Sequence, residues 1–168
     1  MRSTPNIPGF IVRPFEDRDV PPLQTLFDAD PEFFQAINGR DIPVGEIRAA
    51  LPLGRTIEDK FFFAITQGDS IAGMIDIIRG YPEPTTWFLG FLFLAKDARG
   101  AGAGRRALHA LYDWVRAQGG TALRLGVVEG NTRARWLYAT EGFVFKATRE
   151  PDPAENRMRR TLVLERPV

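Results

Sequence analysis

The segment Arg99-Gly100-Ala101-Gly102-Ala103-Gly104 carries the clearest chemical signal in the sequence. It follows an apolar run and precedes a helical pattern, so it reads as a glycine-rich turn feeding a helix N-terminus. Such a turn presents backbone N–H groups that lack an intrahelical acceptor, with the positive end of the helix dipole behind them. That combination binds phosphate. Glycine takes positive φ without penalty and lets a ligand approach the backbone. Arg99, Arg105 and Arg106 bring cationic charge to the same place. A Walker A loop is excluded, because no lysine follows these glycines. A dinucleotide-binding turn stays open on the residues alone: Gly102-Ala103-Gly104-Arg105-Arg106-Ala107 fits Gly-x-Gly-x-x-Gly/Ala, and Glu129 lies where a ribose-binding acid would sit.

Two carboxylates outside this turn are candidates for proton chemistry. Asp76 lies in Met74-Ile75-Asp76-Ile77-Ile78, and an acid among apolar residues is expected to be buried. Burial raises a carboxyl pKa, which suits a base, although a structural group tied to backbone amides gives the same pattern. Glu83, in the loop Gly80 to Pro84, reads as solvated. His109 is the single histidine and there is no cysteine, so disulfides, thiolate zinc sites and cysteine nucleophiles are out. A metal site is not expected.

The elements that must position these groups can be read in order. Phe10 to Pro14 is a short strand. Val20 to Phe27 is a helix with prolines in its first turn, which Asp17 or Asp19 could cap. Asp28 to Asp59 is irregular, with short helices around Glu32 to Ile37 and Val44 to Leu51, and an insert of this kind is commonly a binding region. Lys60 to Thr66 and Ser70 to Arg79 form a hairpin across Gln67-Gly68-Asp69. Thr86 to Ala95 is continuously apolar, as in a strand covered on both faces. A helix follows through Ala107, Leu108, Leu111 and Val115, ended by Gly119-Gly120. Leu123 to Val128 is a strand, Asn131 opens a second helix, and Phe143 to Thr148 and Met158 to Leu164 are closing strands. The upstream meander is antiparallel and few βαβ units remain, which weighs against a doubly wound sheet. Trp87, Trp114 and Trp136 read as core or half-buried packing. Phe33, Phe34 and Tyr81 either line a pocket or pack on the domain.

The chain resembles the GNAT N-acetyltransferases. Arg99 to Gly104 is similar to their Arg/Gln-x-x-Gly-x-Gly/Ala signature, and Asn131, Ala134, Tyr138 and Glu141-Gly142-Phe143 match the segment that follows it by about 30 residues in that family. The resemblance implies a single domain over residues 1–168, an α/β (α+β mixed-sheet) fold whose central, mostly antiparallel sheet splays and is flanked by helices. It implies acetyl-CoA as cosubstrate. Its pantetheine arm would pair with the backbone of Leu92, Phe93 and Leu94, and its pyrophosphate would meet N–H groups from the Arg99, Gly100, Ala101, Gly102, Ala103, Gly104 and Arg105 segment. Asn131 would contact the arm, or cap its helix, or both. Tyr138 would be the general acid that protonates the departing thiolate. Relatives commonly place a glutamate base on the strand before the signature. Here Trp87 to Leu94 holds no carboxylate, which leaves Asp76, Glu83 and Glu129.

The implied reaction is transfer of acetyl from acetyl-CoA to a primary amine of a small molecule or peptide, by direct attack in a ternary complex. The missing strand carboxylate motivates an alternative, a non-catalytic acyl-CoA-binding sensor or partner module. The formal net charge of +1 gives no case for nucleic acid, and Arg157, Arg159 and Arg160 read as the wet face of a strand. Met1 to Phe10 lacks the apolar run of a signal peptide, and no segment approaches the roughly 20 apolar residues of a membrane span, so a cytoplasmic location is expected. Homodimerisation, common in the family, is compatible with the sequence. Asp28, Asp30, Glu32, Glu46, Glu58 and Asp59 make the irregular insert acidic, which would suit a cationic amine.

Overall fold

Apolar periodicity resolves into a single seven-stranded sheet in the computed structural model, which describes residues 3–168. Met1 and Arg2, part of the stretch read for a signal peptide, lie outside the described residues. The strands are β1 (Ile11–Pro14), β2 (Lys60–Gln67), β3 (Ser70–Arg79), β4 (Thr86–Leu94), β5 (Ala122–Val128), β6 (Val144–Arg149) and β7 (Thr161–Pro167). Their spatial order is β1-β2-β3-β4-β5-β7-β6. Only β4 and β5 run parallel; every other pair is antiparallel. This mixed α/β sheet is not doubly wound, so the dinucleotide-binding architecture is excluded.

Helices cover both faces. On one lies α4 (Ala103–Ala117), whose Leu108, Leu111, Trp114 and Val115 pack on Ile75, Ile77, Trp87 and Leu123. On the other lie α1 (Val20–Asp28), α2 (Pro31–Asn38) and α3 (Val44–Ala49), which bury Leu23, Phe27, Phe34 and Ile47 against Met74 and Phe93. Cover on both sides is why β3 and β4 read as continuous apolar runs rather than alternating ones. Trp87 and Trp114 meet edge to face at 5.0 Å in the α4 layer.

β4 changes phase in its middle. Trp87 and Leu89 point into the α4 layer, and so do Leu92 and Leu94, while Phe91 and Phe93 face the α1–α3 layer. One residue is therefore extra. It is Gly90, the bulge between the pairs Ile77–Leu89 and Asp76–Phe91.

Three expectations change. The closing strand expected over Met158 to Leu164 is found at Thr161–Pro167. Residues 152–157 close a turn in which Asp152 and Arg157 pair through their backbones, and 158–160 stay outside the sheet. Arg157, Arg159 and Arg160 consequently do not form a wet strand face: Arg160 pairs with Glu129 and Glu150, and Arg159 reaches the carbonyl of Gln35. Trp136 is 66% exposed, because α5 (Thr132–Thr140) turns Ala134, Leu137 and Tyr138 toward the core and leaves Trp136 outside. Asp19, not Asp17, holds the turn before α1, accepting from the Glu16 N–H and gripping Arg13 with both oxygens.

Candidate functional site

The site begins where β4 and β5 part. They pair only from Thr86–Ala122 to Leu89–Leu125. Beyond that, β4 stays with β3 through Leu94, and β5 stays with β7 through Val128. The strands splay, and the edges of Gly90–Leu94 and Gly126–Val128 face a gap with no strand between them. A cleft of about 760 Å³ opens at the gap. Leu92 lines it, whereas Phe93 and Leu94 are buried in opposite layers, and the Leu94 carbonyl accepts from Arg99 Nε at 2.7 Å.

The glycine-rich turn leads from the end of β4 into α4. Gly100, Ala101 and Gly102 all have positive φ, at 89°, 49° and 75°. The N–H groups of Gly100, Ala101, Gly102, Gly104 and Arg105 find no backbone acceptor among the described residues, while those of Ala103 and Arg106 close the turn onto Gly100 and Gly102. A Cβ built on Gly100 or Gly104 would meet nothing within 4 Å, so the face of the turn is open to a ligand. Such a run of free donors at a helix N-terminus fits a pyrophosphate. Ala101 is the position where an L-residue holds the left-handed conformation, a strain found mainly at functional sites.

The arginines of the segment are drawn into the fold instead of standing free. Arg99 forms an ion pair with the buried Asp30 and lies over the rings of Phe33 and Phe93 at 5.0 and 5.5 Å. Arg105 reaches Glu141 at 2.7 Å, and Arg106 reaches the carbonyls of Ala101 and Pro8. What the turn offers an anion is accordingly its N–H groups and the helix dipole. Glu141 also receives His109 at 2.8 Å, so it ties α4 to the end of α5.

α5 forms the far wall. Asn131 caps it, its Oδ1 accepting from the Ala134 N–H at 3.2 Å, and it also lines the cleft. Tyr138 lines the cleft as well, edge-on to Phe143 at 5.4 Å. Burial pushes its phenol up to about 12.

Asp76 reaches the cleft from β3, beneath the bulge. A Cβ on Gly90 would stand 2.7 Å from Asp76 Oδ2, so the carboxylate fills the space that a β4 side chain would take. Its partner is Lys60, whose Nζ is 2.8 Å and 2.9 Å from the two carboxylate oxygens and also donates to the carbonyls of Ile47 and Ala50 at the end of α3. Burial lifts the Asp76 carboxyl to about 6, against the opposing pull of Lys60.

The structure thus brings Leu92, Asn131, Tyr138 and Asp76 to one cleft and leaves two acids out. Glu83 is exposed in the loop before β4 and does not line it; Glu129 is paired with Arg160. Phe33 and Tyr81 line the cleft, while Phe34 is core. Lys60 beneath the site, and Arg40, Arg149, Glu155 and Arg157 around it, escape sequence reasoning, because their partners are set by tertiary register and no local spacing marks them. Three of the acids in the insert are engaged by arginines: Asp30 by Arg99, Glu46 by Arg40, Asp59 by Arg79 and Arg55. Among the described residues no His/Cys/Asp/Glu group could hold a metal ion, and no helix is long and apolar enough to cross a membrane.

The profile of the Acetyltransferase (GNAT) family matches residues 16–143. Among solved structures, an acetyltransferase from Thermus thermophilus is 23% identical with a TM-score of 0.67, the match covering 96% of this chain and 99% of that one. The ribosomal-protein-S18-alanine N-acetyltransferase of Escherichia coli is 18% identical with a TM-score of 0.70, over 95% and 94% of the two chains. The yncA structure from Salmonella typhimurium, determined with its cofactor acetyl-CoA, is 16% identical with a TM-score of 0.65, again over 95% and 94%. At these identities the likeness is one of fold. A comparison with curated proteins gave no match.

Proposed function

The chain belongs to the Acetyltransferase (GNAT) family, and from that premise we propose that it transfers the acetyl group of acetyl-CoA to a primary amine of a small molecule or peptide, by direct attack in a ternary complex. The observation that carries this reading is the gap between β4 and β5, which has Tyr138 on its wall, together with the free N–H groups of the glycine-rich turn that follows β4. When bound, acetyl-CoA supplies a thioester carbonyl open to attack and a thiolate leaving group. The N–H groups of Gly100, Ala101, Gly102, Gly104 and Arg105 would hold its pyrophosphate, the free β4 edge would pair with its arm, and Asn131 would offer its amide nitrogen. Tyr138 holds a proton at its hydroxyl oxygen for the leaving sulfur. Asp76 takes a proton from the acceptor ammonium, directly or through a water, and the free amine so formed attacks the thioester carbonyl. No covalent acyl-enzyme is required, in keeping with a chain that has no cysteine.

Binding tests the reading first. Gly102 caps α4 with φ of 75°, and a Cβ there meets only Arg106 Nη1 at 3.9 Å. Gly102→Trp should fold, at a cost of about 1–2 kcal/mol for the left-handed backbone, and place an indole over the donors. Calorimetry should show acetyl-CoA binding to the wild type and none to the variant, with neither binding NAD(H). Absence of acetyl-CoA binding in the wild type would sink the proposal.

The pH profile tests the proton roles. Asp76 titrates near 6, above the ordinary carboxyl range, so it is a carboxylate and able to accept a proton only above that value. At saturating substrates, kcat should fall about tenfold per pH unit below 6. Tyr138 keeps its proton to about 12, so it imposes no alkaline limb below pH 10. A downturn between pH 8 and 9 in stopped-flow thiol release would contradict the assignment of the acid.

The engagement of Asp76 by Lys60 favours one second reading, an acyl-CoA-binding module without transfer. It predicts acetyl-CoA binding with no amine-stimulated thiol release.

A further inference from the structure

At the acceptor end, the cleft runs between the α2–α3 segment and the turn joining β6 to β7. Apolar side chains build its body: Phe33, Ile37 and Ile42 with Leu51 and Phe88. The charged groups are unevenly satisfied. On the α2–α3 side, Glu46 is gripped by both terminal nitrogens of Arg40. On the opposite side, Arg149 and Arg157 share a single carboxylate oxygen, Glu155 Oε2. The other acids nearby are committed elsewhere: Glu150 and Glu129 to Arg160, and Asp152 to the Ala154 N–H. None of those three lines the cleft. One positive charge is left over at this end, and among the described residues no carboxylate is free there to receive a second ammonium.

Arg157 is also a built feature rather than a loose side chain. Its N–H and carbonyl are pinned to Asp152, and its Nε donates to the Glu150 carbonyl at 2.6 Å. Next to it, Arg159 donates to the Gln35 carbonyl and lies over Gly39 at the end of α2, so the turn and α2 are latched together across the cleft. A guanidinium held in this way suits a carboxylate or phosphonate oxygen pair, because its donors are planar and pre-oriented.

Resting on the transferase reading above, we propose that the acceptor amine carries an anionic group and an apolar body, with the anion docked on Arg157 and Arg149. This runs against the acidity of the insert, which would suit a purely cationic amine. Asp30, Glu46 and Asp59 hold the fold's own arginines, whereas at the acceptor end two arginines share one carboxylate and leave positive charge in excess.

The experiment compares four amines on one skeleton as acceptors: L-leucine, its phosphonate analogue, L-leucinamide and 3-methylbutylamine. Thiol release from acetyl-CoA is followed in the wild type, Arg157→Ala and Arg157→Lys. In the wild type, kcat/KM should be at least about tenfold higher for the two anionic amines, carried by KM. Arg157→Ala should erase that preference, bringing the anionic amines down to the level of 3-methylbutylamine. Arg157→Lys should restore part of it, since charge returns without the fork. Leucine and its phosphonate tell a planar carboxylate preference from a phosphate-like one. Release with the amide and the simple amine alone, or a preference indifferent to Arg157→Ala, overturns this inference and leaves the transferase reading standing. Release with none of the four, where acetyl-CoA binds, overturns both.

Discussion

Tyr138→Phe is expected to lower kcat by about 10²–10⁴-fold, the range for removing a positioned general acid, while the acetyl-CoA dissociation constant stays within about twofold. The substitution is close to isosteric. Tyr138 packs edge-on to Phe143 and within the α4 layer, contacts that a phenyl ring keeps. The backbone at 138 also stays in place, with the Tyr138 carbonyl accepting from the Phe143 N–H at 3.0 Å. The hydroxyl is therefore what the variant removes. A phenol raised to about 12 is a reluctant acid in water. The burial that raises it also raises the basicity of a thiolate formed beside it, so donor and acceptor stay matched. Steady-state thiol release and calorimetry on the same preparations separate the outcomes. A loss of affinity with unchanged kcat would make Tyr138 a contact for the ligand and leave the thiolate to solvent.

The parts of this site visible in the sequence are those encoded locally. The glycine run, the helix it opens and the Asn131–Tyr138 segment each depend on neighbours within one or two turns; the first two follow the end of β4, and the third lines the cleft at the splay. Asp76 is legible as a buried acid because its flanking residues are apolar. Its partner is not: Lys60 is sixteen positions away and meets it only through the register of β2 on β3. The bulge at Gly90 is hidden for a different reason. A strand apolar at nearly every position shows no alternation, so a slip of one residue leaves no mark. The signature arginines look free for phosphate in the sequence because Asp30 and Glu141, which hold Arg99 and Arg105, lie far off in the chain. Expected positions for the closing strands drift by up to three residues, because residues 158–160 run outside the sheet after the Asp152–Arg157 turn and β7 begins only at Thr161.

Asp76 invites a sharper test, because its two roles predict different double variants. The Asp76–Lys60 pair is buried, with side-chain exposures of 6% and 1%. Removing one partner of such a pair typically costs about 3–5 kcal/mol, since the other is left charged in a poorly solvating site. Asp76→Asn should sit at the low end of that range, because Lys60 still donates to the Ile47 and Ala50 carbonyls. For a domain of this size the melting temperature should drop by on the order of 10 °C. Replacing both charges, as Lys60→Met with Asp76→Leu, removes the orphaned ammonium and should recover part of the loss. The two α3 carbonyls, now without their donor, account for the remainder. Turnover should not follow stability. If Asp76 accepts the ammonium proton, the double variant stays slow by about 10²-fold or more at temperatures where it is fully folded, and the acid limb near pH 6 disappears from its profile. If Asp76 merely anchors the floor beneath Gly90, rate returns together with melting temperature, and water becomes the proton acceptor. The missing side chain at position 90 makes the first outcome the expected one: Asp76 lines the cleft, and the space over its carboxylate that a β4 side chain would fill is left to it.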